Sequence, residues 1–257
     1  MQKPPSPRSR KRRSPGAGAK SPRVSMKDQV YDRIRTDIMV FELKPGERIS
    51  ESQLAERLGV GLASVRAVLP KLVQEGFLLN RRRLGHVVAP ITMQEIRNVC
   101  QLREILEPEA ADLACKRVDI AHLEEIDARS KATVEPGDRA AEIDSLMANR
   151  EFHIAIAAAT GNQHLEKWVA QLQDFSIRFQ YLLRHSEALS EDWEHSHEPI
   201  IDALRQRDGA VAREAMEEHL RRGRMHLIQS VLELPTMQDV NIGDIGGLAA
   251  GAKTQVD

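Results

Sequence analysis

From residue 93 to about residue 234 the chain keeps a helical apolar period, and no stretch in it alternates like a strand. Nothing else constrains the fold as strongly, because helices with apolar stripes and no sheet to cover them must bury those stripes against one another. Breaks at Val118–Asp119, Glu135–Gly137, Gly161–Asn162, around Ser186–Leu189 and at Asp208–Gly209 divide the region into six expected helices. They run roughly over 93–117, 120–134, 138–160, 162–184, 189–207 and 209–234. An aromatic content of only 4% fits this all-α reading better than a β-rich core.

Residues 26–90 are patterned differently. Val30, Ile34, Ile38 and Val40 form an apolar stripe that stops at Pro45–Gly46. Ser50 then opens SESQ, a capping-box pattern with Gln53 three residues on, and this second helix ends at Gly59. A third helix follows Gly61, with Val65, Val68, Leu69, Leu72 and Val73 on its apolar side, and stops at Gly76. Pro70 falls inside it, where a proline removes a backbone donor and favours a kink. Two short β-like runs, Phe77–Leu79 and His86–Ala89, flank a basic turn of Arg81, Arg82, Arg83 and Gly85. Three short helices and a basic hairpin in this order predict a winged helix-turn-helix, whose third helix lies in the major groove of DNA.

Charge divides the chain in the same way. The formal net charge of −1 conceals +8 over residues 1–25, +3 over 26–90 and −12 over 91–257. Residues 1–25 are rich in Pro, Ser, Gly, Lys and Arg, too polar to bury a core, and read as a disordered basic tail able to add phosphate contacts. The Gly- and Ala-rich residues 235–257 read as a flexible tail. An acidic second half repels DNA and turns only the basic head toward it. The first 25 residues lack the apolar segment of a secretory signal, and no apolar run reaches the ~20 residues of a membrane helix. Cys100 and Cys115 share one expected helix and are ~22 Å apart on it, too far for a disulfide. A reducing cytoplasmic setting is expected.

Nine histidines are present. Asn149 and His153, at i and i+4, share a helix face, and a helical bundle can aim such residues and later histidines into one cavity. The pattern alone does not choose among His153, His164, His185, His195, His197, His219 and His226.

The stretch VYDRIRTDIMVFELKPGERISESQLAERLGV, followed later by GHVVAP, resembles the DNA-binding domain of GntR-family transcriptional regulators. The continuation ITMQEIRNVCQLREILEPEAADLA, with FHIAIAAATGNQHL, HEPIIDAL and AMEEHL, resembles the FCD effector-binding domain of the FadR branch. The resemblance covers about residues 27–230, and six helices rather than seven look more like the VanR-type variant. It implies a homodimeric, ligand-responsive regulator of a palindromic operator, more often a repressor, that senses a small organic acid. It also implies a divalent metal, zinc or nickel before copper or iron, held by Asn149, His153, His197 and His219; Asn149 stands where the family has an aspartate. A neutral amide weakens metal retention but leaves more positive charge to attract an anion. Arg103 matches a family position facing the effector cavity, and equally suits an i,i+4 bridge to Glu107; Arg150 and Arg178 are weaker candidates for the same role.

The head departs from the family pattern at Gly61–Leu69. The usual Ser-Arg-Thr-Pro-Val-Arg run is here Gly61, Leu62, Ala63, Ser64, Val65, Arg66, so the first arginine and two hydroxyls are missing. Ser64, Arg66 and the wing residues Arg82, Arg83 and Gly85 are therefore expected to carry more of the DNA contact. Two other functions remain open at this stage: a metal sensor in which the ion is the signal, and a metalloenzyme, for which no general base stands beside the histidines.

Overall fold

In the computed structural model, residues 25–135, 137–184 and 196–233 are described. The expected tails, apart from Ser25, and the start of the expected helix 189–207 lie outside them.

Helix α1 (Met26–Met39) starts at Ser25, whose Oγ accepts the Asp28 N–H at 3.1 Å. Helix α2 (Glu51–Leu58) is capped by Ser50 and ends at Gly59, whose φ of 64° lets the chain turn sharply into α3. Helix α3 (Leu62–Gln74) runs unbroken through Pro70. Strands β1 (Leu78–Arg81) and β2 (Gly85–Val88) pair antiparallel, Leu78 opposite Val88. Arg81 therefore belongs to a strand rather than to the turn. The segment before α2 braces this wing: Gly46 N–H donates to Val88, Val88 N–H to Glu47 and Ile49 N–H to His86. Ile34, Ile38, Val65, Val68, Leu69, Leu72 and Leu78 close the head's core, all essentially inaccessible.

Six further helices follow among the described residues: α4 (Met93–Ala114), α5 (Ile120–Ser130), α6 (Arg139–Ala159), α7 (Gln163–Arg184), α8 (Glu198–Arg205) and α9 (Gly209–Glu233). Helix α8 begins later than the sequence pattern suggested, because Pro199 sits in its first turn and His197 takes the N-cap position. The apolar face of α4, α5, α6, α8 and α9 meets in one core around Phe152, Ile156, Ile200 and Leu204. Both cysteines are buried and free. No helix of the described residues is long and apolar enough to cross a membrane.

Helix α7 joins the two halves. Its Ile177 and Tyr181 are buried in the core of the head, and Phe175 stacks on Phe77 with centroids 4.8 Å apart. Asp174, 3% exposed, receives Arg35 of α1 at 2.9 Å and Arg150 of α6 at 2.5 Å. Arg178, fully buried, donates to the carbonyl of Ala89, just before the connection to α4. Arg150 and Arg178 thus tie the two halves together and are not among the residues lining the cavity described next.

Candidate metal and effector site

His153 projects from the middle of α6, His197 caps α8 and His219 projects from α9. One ligand nitrogen from each lies within 4.8 Å of the others, and the ring centroids are 5.1–5.3 Å apart. Ligands of one zinc ion, each at ~2.0–2.1 Å, stand roughly 3–4 Å from one another, so the three rings need close in by only about 1 Å.

Two buried carboxylates orient these rings. Glu107 of α4 places Oε2 2.6 Å from His153 Nδ1, although off the line of an ideal hydrogen bond. Its Oε1 accepts from Arg103 Nε at 2.7 Å and from Gln173 at 2.9 Å. Asp127 of α5 lies 2.8 Å from His197 Nδ1 and is itself paired with Lys131 at 2.9 Å. With Nδ1 of His197 hydrogen-bonded and Nδ1 of His153 facing a carboxylate, Nε2 is the nitrogen each ring can offer to a ligand, as where outer residues set tautomer and ring orientation at metal sites. Phe152 stacks flat on His197 with centroids 4.0 Å apart and fixes that ring from the other side.

The electrostatics favour neutral imidazoles, the form that ligates. Burial pushes His197 down to about 4, outweighing its bond to Asp127. Burial also lowers His153, against the pull of Glu107. Glu107 goes the other way: burial resists its charge, but Arg103 and His153 hold it down to about 2. Because the folded His197 resists a proton that the unfolded chain accepts near pH 6.5, stability is full above that pH. It falls as pH drops toward 4, by up to ~1.4 kcal/mol per pH unit for each such group. Denaturant titrations of the metal-free protein at pH 7, 6, 5 and 4.5 are expected to show this slope, and His197→Gln to flatten it; an equal slope in the variant excludes His197 as its source.

Asn149 stands one turn before His153 on α6, and its Nδ2 donates to Gln180 at 3.3 Å. Its Oδ1 is buried without a hydrogen-bond partner, and so is His153 Nε2. Two orphaned acceptors beside a cluster of imidazoles fit a cation. Their nitrogen-rich chemistry suits zinc, nickel, copper or iron rather than magnesium or calcium.

Asn149 and His219 also line a cavity of ≈310 Å³ between α4, α6, α7 and α9. Cys100, Leu183, Leu220 and Leu227 form its apolar side, and Arg103, Arg184, Arg224, Ser130, Ser176 and Gln180 its polar side. Arg103 makes the i,i+4 bridge to Glu107, donates through Nη1 to Ser176 at 3.2 Å, and also stands at the cavity. Glu107 and Asp127, which sequence reasoning missed, complete the site. His164 is exposed beside Trp168, His226 lines the cavity wall, and His185 and His195 lie outside the described residues.

In the head, Ser64 and Arg66 lie in the first turn and a half of α3, and Leu62 is 37% exposed at its start. Arg66 is not free: its Nε meets Glu51 at 2.6 Å. Arg82 and Arg83 are exposed in the wing turn, and positive φ is adopted by Arg83 there, 71°, and by Gly85 at the start of β2, 74°.

Comparison with known proteins agrees with this architecture. Residues 26–88 match the family described as bacterial regulatory proteins, gntR family, and residues 98–222 match the FCD domain. The Nta operon transcriptional regulator of Aminobacter aminovorans is 31% identical over 176 residues, covering 67% of this chain and 81% of that protein. The chain belongs to the GntR family of transcriptional regulators, with an FCD domain. Its relatives include the transcriptional repressor GlaR of Escherichia coli, 27% identical over 200 residues, covering 74% of this chain and 90% of GlaR. Among solved structures, McbR/YncC of E. coli superposes with a TM-score of 0.70 at 25% identity, covering 81% of this chain and 99% of that one. GntR-family regulators are DNA-binding proteins and not enzymes, which removes the metalloenzyme alternative.

Proposed function

We propose that this regulator is a cytoplasmic homodimer that binds a palindromic operator through residues 26–90. Residues 91–234 sense a small carboxylate over a divalent metal, zinc or nickel. The observation that carries the sensing half is the convergence of His153, His197 and His219, with His219 and the orphaned Asn149 lining a cavity that Arg103 also lines. Asn149, His153, His197 and His219 would hold the ion. The ion would supply positive charge and coordination positions open to the cavity. Arg103 keeps Nε and Nη1 on the protein, and its Nη2 has no hydrogen-bond partner among the described residues, which suits one oxygen of a carboxylate. Repression is the favoured mode, in line with relatives named as repressors.

Dimerisation has its own support. Leu102, Ile105 and Leu113 of α4 and Met225 and Leu232 of α9 are 47–59% exposed, and large apolar side chains grouped on neighbouring helices mark an interface. Two heads then meet half-sites about one helical turn apart, ~34–36 Å. In the head we assign base or phosphate contact to Ser64, Arg66, Arg82 and Arg83, with Gly85 shaping the wing.

The test begins with duplexes selected by the protein from a random-sequence pool. Affinity for them is expected to fall steeply between 50 and 200 mM salt, and Arg66→Gln to weaken it by ~1–3 kcal/mol per half-site. An affinity indifferent to salt overturns the phosphate-contact reading.

A further inference from the structure

Arg66 is the single arginine of α3, and its position next to an acid on the exposed side of the head is unexpected for a surface that meets phosphate. The other cation of α3, Lys71, is committed elsewhere, 3.5 Å above the Tyr31 ring and 3.9 Å from Glu75. Glu51 is the first residue of α2, where the free backbone N–H groups of the helix start favour a carboxylate. Its Oε2 holds Arg66 Nε at 2.6 Å, and its Oε1 lies 4.0 Å from His86 Nδ1 on strand β2. One carboxylate therefore touches the helix that opens the turn unit, the helix that reads the groove, and the wing.

We infer that Glu51 is a specificity-determining residue: it positions Arg66 for a base edge and penalises binding to phosphate alone. With Nε tied down, the terminal Nη1 and Nη2 groups keep four N–H donors for a guanine edge, a contact that discriminates about tenfold or more against a wrong base. A guanidinium already neutralised by Glu51 releases little counterion when it meets a random phosphate, so indiscriminate binding gains little from it. The side chain of Arg66 is 63% exposed and that of Glu51 29%, so the pair contributes little to folding, and its place on the reading face points to recognition.

The inference rests on the head-to-duplex reading above, and its test separates the two. Affinity is measured for wild type, Glu51→Gln and Glu51→Ala on the pool-selected duplex and on a scrambled duplex of equal length, across salt. Glu51→Gln keeps an acceptor for Arg66 Nε but removes the charge. It is expected to raise scrambled-duplex affinity several-fold, to steepen its salt slope by about one unit, and to lower the selected-to-scrambled ratio. Glu51→Ala also frees the guanidinium and is expected to lower that ratio further, by weakening the selected duplex. In an Arg66→Gln background both substitutions are expected to leave the ratio unchanged. If wild type selects no sequence at all, the head-to-duplex reading fails. If it selects one and Glu51→Gln leaves the ratio unchanged, or moves it equally without Arg66, the role given to Glu51 is wrong.

Discussion

His153→Ala is expected to lower the affinity of the helical domain for a divalent metal by well beyond 100-fold. The neighbouring carboxylate sets the scale. Removing a residue that only orients a ligand costs ~10–100-fold, so Glu107→Gln, which keeps its shape and its bonds to Arg103 and Gln173 but not its charge, belongs in that range. His153 is a proposed direct ligand, wholly buried, with Nε2 unpartnered. Asn149→Asp is expected to tighten binding, since it adds a charged oxygen where a neutral one now stands. His164→Ala, at an exposed ring beside Trp168, serves as the unaffected control. Competition against a chromophoric chelator measures all four. Equal affinities for wild type and His153→Ala would remove the metal from the account.

The second large effect is expected at Asp174. This carboxylate is 3% exposed and accepts one arginine from the DNA-binding head and one from α6, whose next residue before Arg150 is Asn149. Asp174→Ala leaves two guanidinium groups facing each other without their counter-charge. Losing one partner of a buried pair costs ~3–5 kcal/mol, and because the two arginines keep about a fifth of their exposure, the lower end applies. At ~2–4 °C per kcal/mol for a chain of this size, the melting temperature falls by roughly 6–12 °C. Asp174→Asn, which retains hydrogen bonds, is expected to fall less. Thermal unfolding followed by circular dichroism decides this, and a shift below about 2 °C for the alanine variant contradicts a clamp between the halves.

The sequence showed the shape of the molecule more readily than the inside of its site. Capping at Ser50, the glycine at 59 and the arginine-rich hairpin are local signals, and each reappears within a residue or two of its expected place. Asn149 and His153 were legible as a pair because four residues along a helix bring side chains to one face. Glu107 and Asp127 were not, since their partners lie 46 and 70 residues away, and an acid on an amphipathic helix ordinarily faces water. A signal was present for Glu107: it stands between Leu106 and Pro108 and three residues before Ala110, on the side of α4 that turns inward. His197 was expected within a helix rather than at its cap, although Pro199 two residues later marks a helix start. Arg150 and Arg178 carried no sequence signal separating a cavity arginine from one that braces the head. Asp174 was equally silent, as its meaning depends on Arg35, 139 residues earlier.

The central claim is that the metal-bearing cavity of the helical domain governs the affinity of the head for DNA. One measurement addresses it directly: affinity for the pool-selected duplex, with metal-loaded and chelator-stripped protein, with and without a panel of small mono- and dicarboxylates. At least one acid is expected to change the affinity of the loaded protein by ~5–150-fold, the usual range of coupling between sites, and to leave the stripped protein unmoved. A shift produced by metal alone, with no acid adding to it, makes the ion itself the signal; an acid response that survives complete removal of the metal contradicts the account.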